Sequence, residues 1–193
     1  VYNTEYLKDN APVPNAKNSI VVHPPVWPEL YKVNSTREYI TLINLCREKG
    51  GEMLFKIAEL LPDHKFLGVV GAYGEQIVRP VLNVDLMQNQ KNIREVYKKT
   101  KILLMPSEYE SYGRVAIEAS MSGIPVIANK TFGLEESLSY SGIWSRMTPE
   151  FFAQRILEVE EDYDFYTQRA LQRAQDINAD KEIEKLALML RKI

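Results

Sequence analysis

Apolar positions along this chain alternate between two spacings. YITLI (39–43), KFLGVV (65–70), ILLM (102–105) and IPVIA (124–128) are mainly apolar runs of strand length, and VLNVDLM (81–87) is a weaker one. Between them the spacing becomes helical. Residues Gly51 to Leu61 place Leu54, Ile57, Ala58 and Leu61 on one side, the pattern of an amphipathic helix. NIREVYKKT (92–100) is predicted as a helix opened by a capping box, Asn92 with Glu95 three positions on. Small residues from Gly113 to Ser122 predict a further helix, and the chain from Pro149 onward reads as helices interrupted near Asp162 and Asn178.

Apolar strands alternating with helices predict an α/β fold: a doubly wound, Rossmann-like parallel sheet covered on both faces. The first 28 residues differ in texture. They hold five of the ten prolines around one short apolar run, SIVVHPPV (19–26), which predicts an edge or entering strand stopped by proline. The expected division is therefore an interdomain connection over 1–30 and a ligand-binding domain with trailing helices over 31–193.

At 193 residues the chain can bury a sizeable core. A net charge of −2 provides no basic field for nucleic acid. One cysteine, Cys46, excludes a disulfide framework, and with histidines only at 23 and 64 no metal cluster is expected. No run reaches the length of a membrane span, and a cytoplasmic location is expected. His23 reads as a packed loop residue and Cys46 as a half-buried loop thiol.

In doubly wound folds ligands bind beyond the carboxyl ends of the strands, so three strand-to-helix loops matter. NLCREKGGE (44–52) places Arg47 and Lys49 before a helix start, where cations are mildly unfavourable unless an anion joins them. The Gly50 and Gly51 amides are expected to share that anion, although a solvated turn would give the same pattern. GVVGAYGEQ (68–76) has glycines at G-x-x-G-x-x-G spacing, not the dinucleotide fingerprint, and loop residues rather than a helix follow it. It predicts a tight turn, not an NAD site.

The third loop, PSEYESYGRVAIEASMSGIPVIA (106–128), carries the sharpest signal. From Val115 to Asn129 the only charged side chain is Glu118. A buried carboxylate costs several kcal/mol unless it is paired or hydrogen-bonded. Arg114, four positions earlier, offers a helix pair; ligand hydroxyls offer the alternative. Glu110 stands at the ligand edge, and helix-start amides near Ser111–Arg114 lie between the two acids. Two acids flanking free amides suit a molecule with hydroxyls at both ends and a diphosphate between: a nucleotide sugar.

These residues resemble the donor-site signature of retaining glycosyltransferases of family 4, which have the GT-B fold. Their pattern runs P-S-x-x-E-x-F-G-x-x-x-x-E-A-x-x-x-G-x-P-V. Pro106, Ser107, Glu110, Gly113, Glu118, Ala119, Gly123, Pro125 and Val126 fall in place, with Tyr112 for the usual Phe. INLCREKGG resembles the family's G-R-L-x-x-E-K-G loop and TFGLEESL its G-G-L-P-E-L turn. The resemblance implies the C-terminal half of a GT-B enzyme that transfers a sugar from a UDP- or GDP-linked donor to a glycan, lipid or other hydroxyl acceptor. The acceptor would sit against an N-terminal domain outside this chain, and peripheral contact of the full enzyme with a membrane is left open.

By the same resemblance Glu110 holds sugar hydroxyls, the backbone of Ser111, Tyr112 and Gly113 receives the diphosphate, and Glu118 takes the ribose. Lys49 contacts the diphosphate and stabilises the leaving group, Arg47 joins it only by reaching in from a different angle, and the base lies near Met87 and Gln88. No cofactor or metal is implied. The attacking hydroxyl would lose its proton to a phosphate oxygen. Asn44 departs from the pattern by replacing the usual Arg, which removes one cation of the diphosphate clamp. That loss also suits a non-catalytic nucleotide-sugar-binding module, and an NAD-independent nucleotide-sugar epimerase on the same scaffold is the third reading.

Overall fold

The structure, a computed structural model, describes residues 1–14 and 18–191. Six strands form one sheet: β1 (Tyr39–Ile43), β2 (Phe66–Val69), β3 (Val84–Met87), β4 (Thr100–Met105), β5 (Val126–Asn129) and β6 (Ile143–Ser145). Every neighbouring pair is parallel and the order is β3-β2-β1-β4-β5-β6. Winding runs outward from β1 in one direction and restarts at β4 in the other. The crevice beyond the carboxyl ends of β1 and β4 is thus the topological switch point, where ligands bind in open α/β sheets.

Helices are α1 (Glu5–Asn10), α2 (Pro28–Tyr31), α3 (Gly51–Leu60), α4 (Arg94–Tyr97), α5 (Arg114–Ser120), α6 (Phe132–Leu138), α7 (Pro149–Glu161), α8 (Tyr163–Asp176) and α9 (Ala179–Leu190). Alternate side chains of the central strands point to opposite faces. Ile40, Leu42, Phe66, Ile102 and Leu104 pack on one face with Leu54 and Ile57 of α3 and Phe152 and Ile156 of α7. On the other, Leu103, Met105, Val126 and Ala128 pack with Ala116 and Ala119 of α5 and Leu134 and Leu138 of α6. Both faces are covered, as expected. The trailing helices break where predicted, and each break is a cap: Asp162 Oδ1 accepts from the Phe165 amide (3.3 Å) and Asn178 Oδ1 from the Lys181 amide (2.9 Å).

Four local expectations need correction. SIVVHPPV is no sheet strand; it makes a single bridge, Val21 with Tyr2, because Pro24, Pro25 and Pro28 withdraw the amides a ladder needs. The helix within 92–100 shrinks to four residues, since the segment from Thr100 is drawn into β4. Its capping box does not close: Asn92 Oδ1 accepts from the Arg94 amide (3.2 Å), while Glu95 pairs with Lys98 (2.7 Å). TFGLEESL is helix α6, not a turn, with Thr131 Oγ1 accepting from the Leu134 amide. Cys46 is fully buried rather than half-buried, and burial pushes its thiol pKa up.

At the sheet's opposite end Glu160 joins α7 to the strands, accepting from Lys101 Nζ (2.6 Å) and His64 Nε2 (2.8 Å). Burial alone would raise its pKa, but these two bonds outweigh burial and hold it below the ordinary carboxylate value. A depressed folded pKa contributes stability above the unfolded pKa that is lost as pH falls through the folded one. Glu160→Gln is therefore expected to lower Tm at neutral pH by an amount worth no more than about 1 kcal/mol at this partly exposed site. The gap to wild type should close on acidification through the carboxylate range. A gap that stays constant into strong acid would disprove the account.

Candidate functional site

A cavity of about 590 Å³ opens at the switch point. Ile43 and Asn44 enter its wall from the end of β1, Val69 to Tyr73 from the end of β2, and Leu103, Leu104, Met105 and Ser107 from β4. Glu110 to Val115 close it from the loop into α5. All three loops singled out in the sequence meet here.

Lys49 reaches the cavity because its 3₁₀ turn (Arg47–Lys49) ends at Gly50, whose φ of +84° is the left-handed conformation glycine tolerates. Lys49 Nζ bonds Glu110 Oε1 at 2.5 Å, and Ser107 Oγ donates to the same oxygen at 2.9 Å. Both charged side chains are largely shielded, 22% and 10% exposed, so each depends on the other. The anion site sketched at this turn is only partly present. The Gly50 and Gly51 amides are used internally, by Arg47 O (2.9 Å) and Cys46 O (3.0 Å). Arg47 is exposed and takes no part in the cavity wall.

Asn44 stands at the end of β1 with φ +70°. Its Oδ1 accepts from the Cys46 amide (3.2 Å) and Gln76 Nε2 (2.8 Å). Gly71 makes room, since a Cβ there would lie 2.2 Å from the Asn44 side chain. The glycine-rich loop is thus the predicted tight turn, locked by Gln76, whose Oε1 also accepts from the Gly71 amide (2.7 Å).

Gly113 adopts φ +79° and starts α5. Among the described residues the amides of Ser111, Tyr112, Gly113, Arg114 and Val115 donate to no protein acceptor, and all five residues line the cavity. Successive unpaired N–H groups of this kind form a concavity suited to anions. Tyr112 contributes only backbone: its ring is buried among Val26, Ile117 and Met121 and stacks on His23, and burial pushes its pKa up to about 12. His23 packs as expected, bonded through Nε2 to Glu136 Oε1 at 2.7 Å.

Glu118 is 3% exposed and does not line the cavity. Arg114 Nε donates to its Oε1 (2.7 Å) and Tyr97 OH to its Oε2 (2.8 Å). Burial first, then the Glu118 charge, raises the Tyr97 pKa well above its ordinary value, so this phenol stays a donor. The helix-pair account of the buried acid is the arrangement seen, and Arg114, which does line the cavity, shields it. Met87 and Gln88 are also absent from the wall; Asn89 and Ile93 occupy that end, and Met87 packs with Val69 and Val96. Asn3 was missed altogether. It lines the cavity and donates from Nδ2 to Ser111 Oγ at 3.0 Å, a contact across 108 positions that no local pattern announces.

Among the described residues no group of three or more His, Cys, Asp or Glu is placed to hold a metal ion. Among the described residues no helix is long and apolar enough to cross a membrane.

Comparison with known proteins gives a consistent picture. The chain is similar to D-inositol 3-phosphate glycosyltransferase of Mycobacteroides abscessus, 33% identical over 100 residues, covering 45% of this chain and 23% of that protein. It is also similar to a 41.2 kDa protein of the Klebsiella pneumoniae cps region, 25% identical over 122 residues, covering 61% of this chain and 34% of that one. The chain thus spans about a third or less of these relatives. Among solved structures, sucrose-phosphate synthase from Thermosynechococcus elongatus superposes with a TM-score of 0.80 at 20% identity, covering 97% of this chain and 55% of that one. Anabaena HepE in complex with UDP-glucose superposes at 0.77, also at 20% identity, with 90% and 57% covered. The doubly wound sheet is the Rossmann-like architecture of GT-B glycosyltransferase structures. Residues 32–178 match the family described as glycosyl transferases group 1, and this chain belongs to that family.

Proposed function

We propose that residues 31–193 are the donor-binding half of a GT-B glycosyltransferase of family 4, joined through 1–30 to an acceptor-binding domain. The reaction would be retaining, metal-independent transfer of a sugar from a nucleoside diphosphate to a glycan, lipid or other hydroxyl. The observation that carries this reading is the Lys49–Glu110 pair set beside five unpaired amides at the switch point.

On this reading the amides of Ser111 to Gly113 take the diphosphate and Lys49 turns from Glu110 to it. There its charge opposes the negative charge that grows as the glycosidic bond to phosphate breaks. Glu110, released, accepts bonds from sugar hydroxyls, and Glu118 does the same for the ribose. The attacking hydroxyl passes its proton to a phosphate oxygen. Asn89 and Ile93, rather than Met87 and Gln88, face the base. The complex of Anabaena HepE with UDP-glucose supports UDP as the first nucleotide to test, with GDP next. The buried lone thiol Cys46 suits a cytoplasmic location.

Titrating the chain with UDP-glucose, UDP, GDP-mannose and GDP while following Tm tests the binding step. A ligand at a hundred times its Kd stabilises the folded state by about 2.7 kcal/mol, several degrees in Tm for a chain of this size. No shift with any of the four would refute the proposal. A second reading, a donor-binding module without turnover, is favoured by the neutral Asn44 where the family pattern has Arg. Sugar transfer by the longer polypeptide, or its failure with binding intact, decides between them.

A further inference from the structure

Resting on the donor-binding reading, we infer that Arg114 is the second cation of the diphosphate site, held by Glu118 until ribose hydroxyls displace it. Charge accounting on the cavity wall points there first. A diphosphate brings at least two negative charges, and among the described residues the wall carries two cations, Lys49 and Arg114. Asn44 is neutral and its Oδ1 is occupied by Cys46 and Gln76, while Arg47 stands off the wall. With Asn44 in the clamp position, Arg114 is the remaining cation that borders the cavity.

Its present bonding leaves it ready to move. Only Nε is engaged; among the described residues Nη1 and Nη2 have no partner, so the planar donor fork that suits phosphate is free. The guanidinium side chain is 59% exposed, whereas Glu118 is 3% exposed. The exposed guanidinium is rehydrated when it leaves, but leaving the buried Glu118 carboxylate without a charge partner would cost much more. Ribose hydroxyls resolve that asymmetry by donating to Oε1 in place of Arg114. Tyr97 keeps its bond to Oε2 and holds the carboxylate still through the exchange. Ribose recognition and phosphate neutralisation are thereby coupled through one side chain.

The test is calorimetric titration of wild type, Arg114→Ala and Arg114→Gln with UDP and with uridine, or with GDP and guanosine if wild type prefers that base. Both variants are expected to lose about tenfold or more in nucleoside diphosphate affinity, the size of one charge-assisted bond. Nucleoside affinity should stay level or rise, because the competitor for Glu118 is gone. Arg114→Gln keeps a donor near Glu118 and guards against a fold defect, which circular dichroism would show. Equal losses for nucleotide and nucleoside would reduce Arg114 to a structural role and overturn the inference. Unchanged or tighter diphosphate binding would make Arg114 a mere lid and overturn it as well. Failure of wild type to bind any nucleoside diphosphate is a separate result; it would remove the donor-binding reading itself.

Discussion

Lys49→Ala is expected to weaken nucleoside diphosphate binding by roughly a hundredfold or more, the largest loss of any single substitution at this site. Two effects compound. The variant removes one of the cations on the cavity wall, and it leaves Glu110, only 10% exposed, as an uncompensated charge beside the diphosphate site, with Ser107 Oγ as its remaining partner among the described residues. Truncating one member of a shielded charge pair typically costs 2–5 kcal/mol, about 1.4 kcal/mol per tenfold in affinity. Much of that is the penalty on the group left behind. Lys49→Ala combined with Glu110→Ala should therefore bind UDP better than Lys49→Ala alone, while binding UDP-glucose no better than UDP. Calorimetry on the four chains of this cycle measures the coupling directly. Additive losses would mean that the pair is not shared between phosphate and sugar, and the roles given to both residues would fall.

The same pair shows which parts of the site were legible beforehand. Glu110 and Lys49 lie in loops between an apolar strand and a helix, and such loops in a parallel sheet converge on one edge. Their meeting follows from topology. The Arg114–Glu118 pair was legible as an i, i+4 spacing; what the linear pattern could not supply was the rest of the competition, the Gly50 and Gly51 amides already closed on their own turn and the second oxygen of Glu118 already claimed by Tyr97. Tyr97 sits 21 positions from that acid, on a helix whose register was itself shortened by β4. Asn3 and Asn89 enter the cavity from irregular segments, where periodicity carries no direction.

Fold elements divide on similar lines. β1, β2, β4 and β5 were legible because strands buried on both faces are continuous apolar runs. β6 was not: it has three residues, Ile143–Ser145, and gains its place by pairing with β5. Helix α1 was hidden by the prolines that follow it, although Thr4 caps it through its side chain, accepting from the Leu7 amide (3.3 Å). α6 was hidden by its glycine, which a family pattern marks as a turn and which here sits inside a helix for a steric reason.

That reason makes Gly133 a sensitive position for stability at the loop that carries Glu110. A Cβ at Gly133 would lie 2.2 Å from Glu110 O, 2.6 Å from Ser111 C and 2.8 Å from Ser111 O. All three are backbone atoms, which cannot rotate aside as a side chain would. Its φ is not among the positive values, so alanine suffers no backbone penalty there and the clash acts alone. Gly133→Ala must drive α6 away from the loop that carries Glu110 and the unpaired amides. Overpacking of this kind costs about 3 kcal/mol, or roughly 6–12 °C in Tm for a domain of this size. Because the strain falls on residues 110–111, nucleoside diphosphate affinity should drop even at temperatures where the variant stays folded. Gly71→Ala provides the contrast, since its close neighbours are atoms of the Asn44 side chain. It is expected to cost less in Tm. A Gly133→Ala variant with wild-type Tm and wild-type UDP binding would show that α6 and the Glu110 loop are not in rigid contact. The positioning of the acid by that helix would then have to be abandoned.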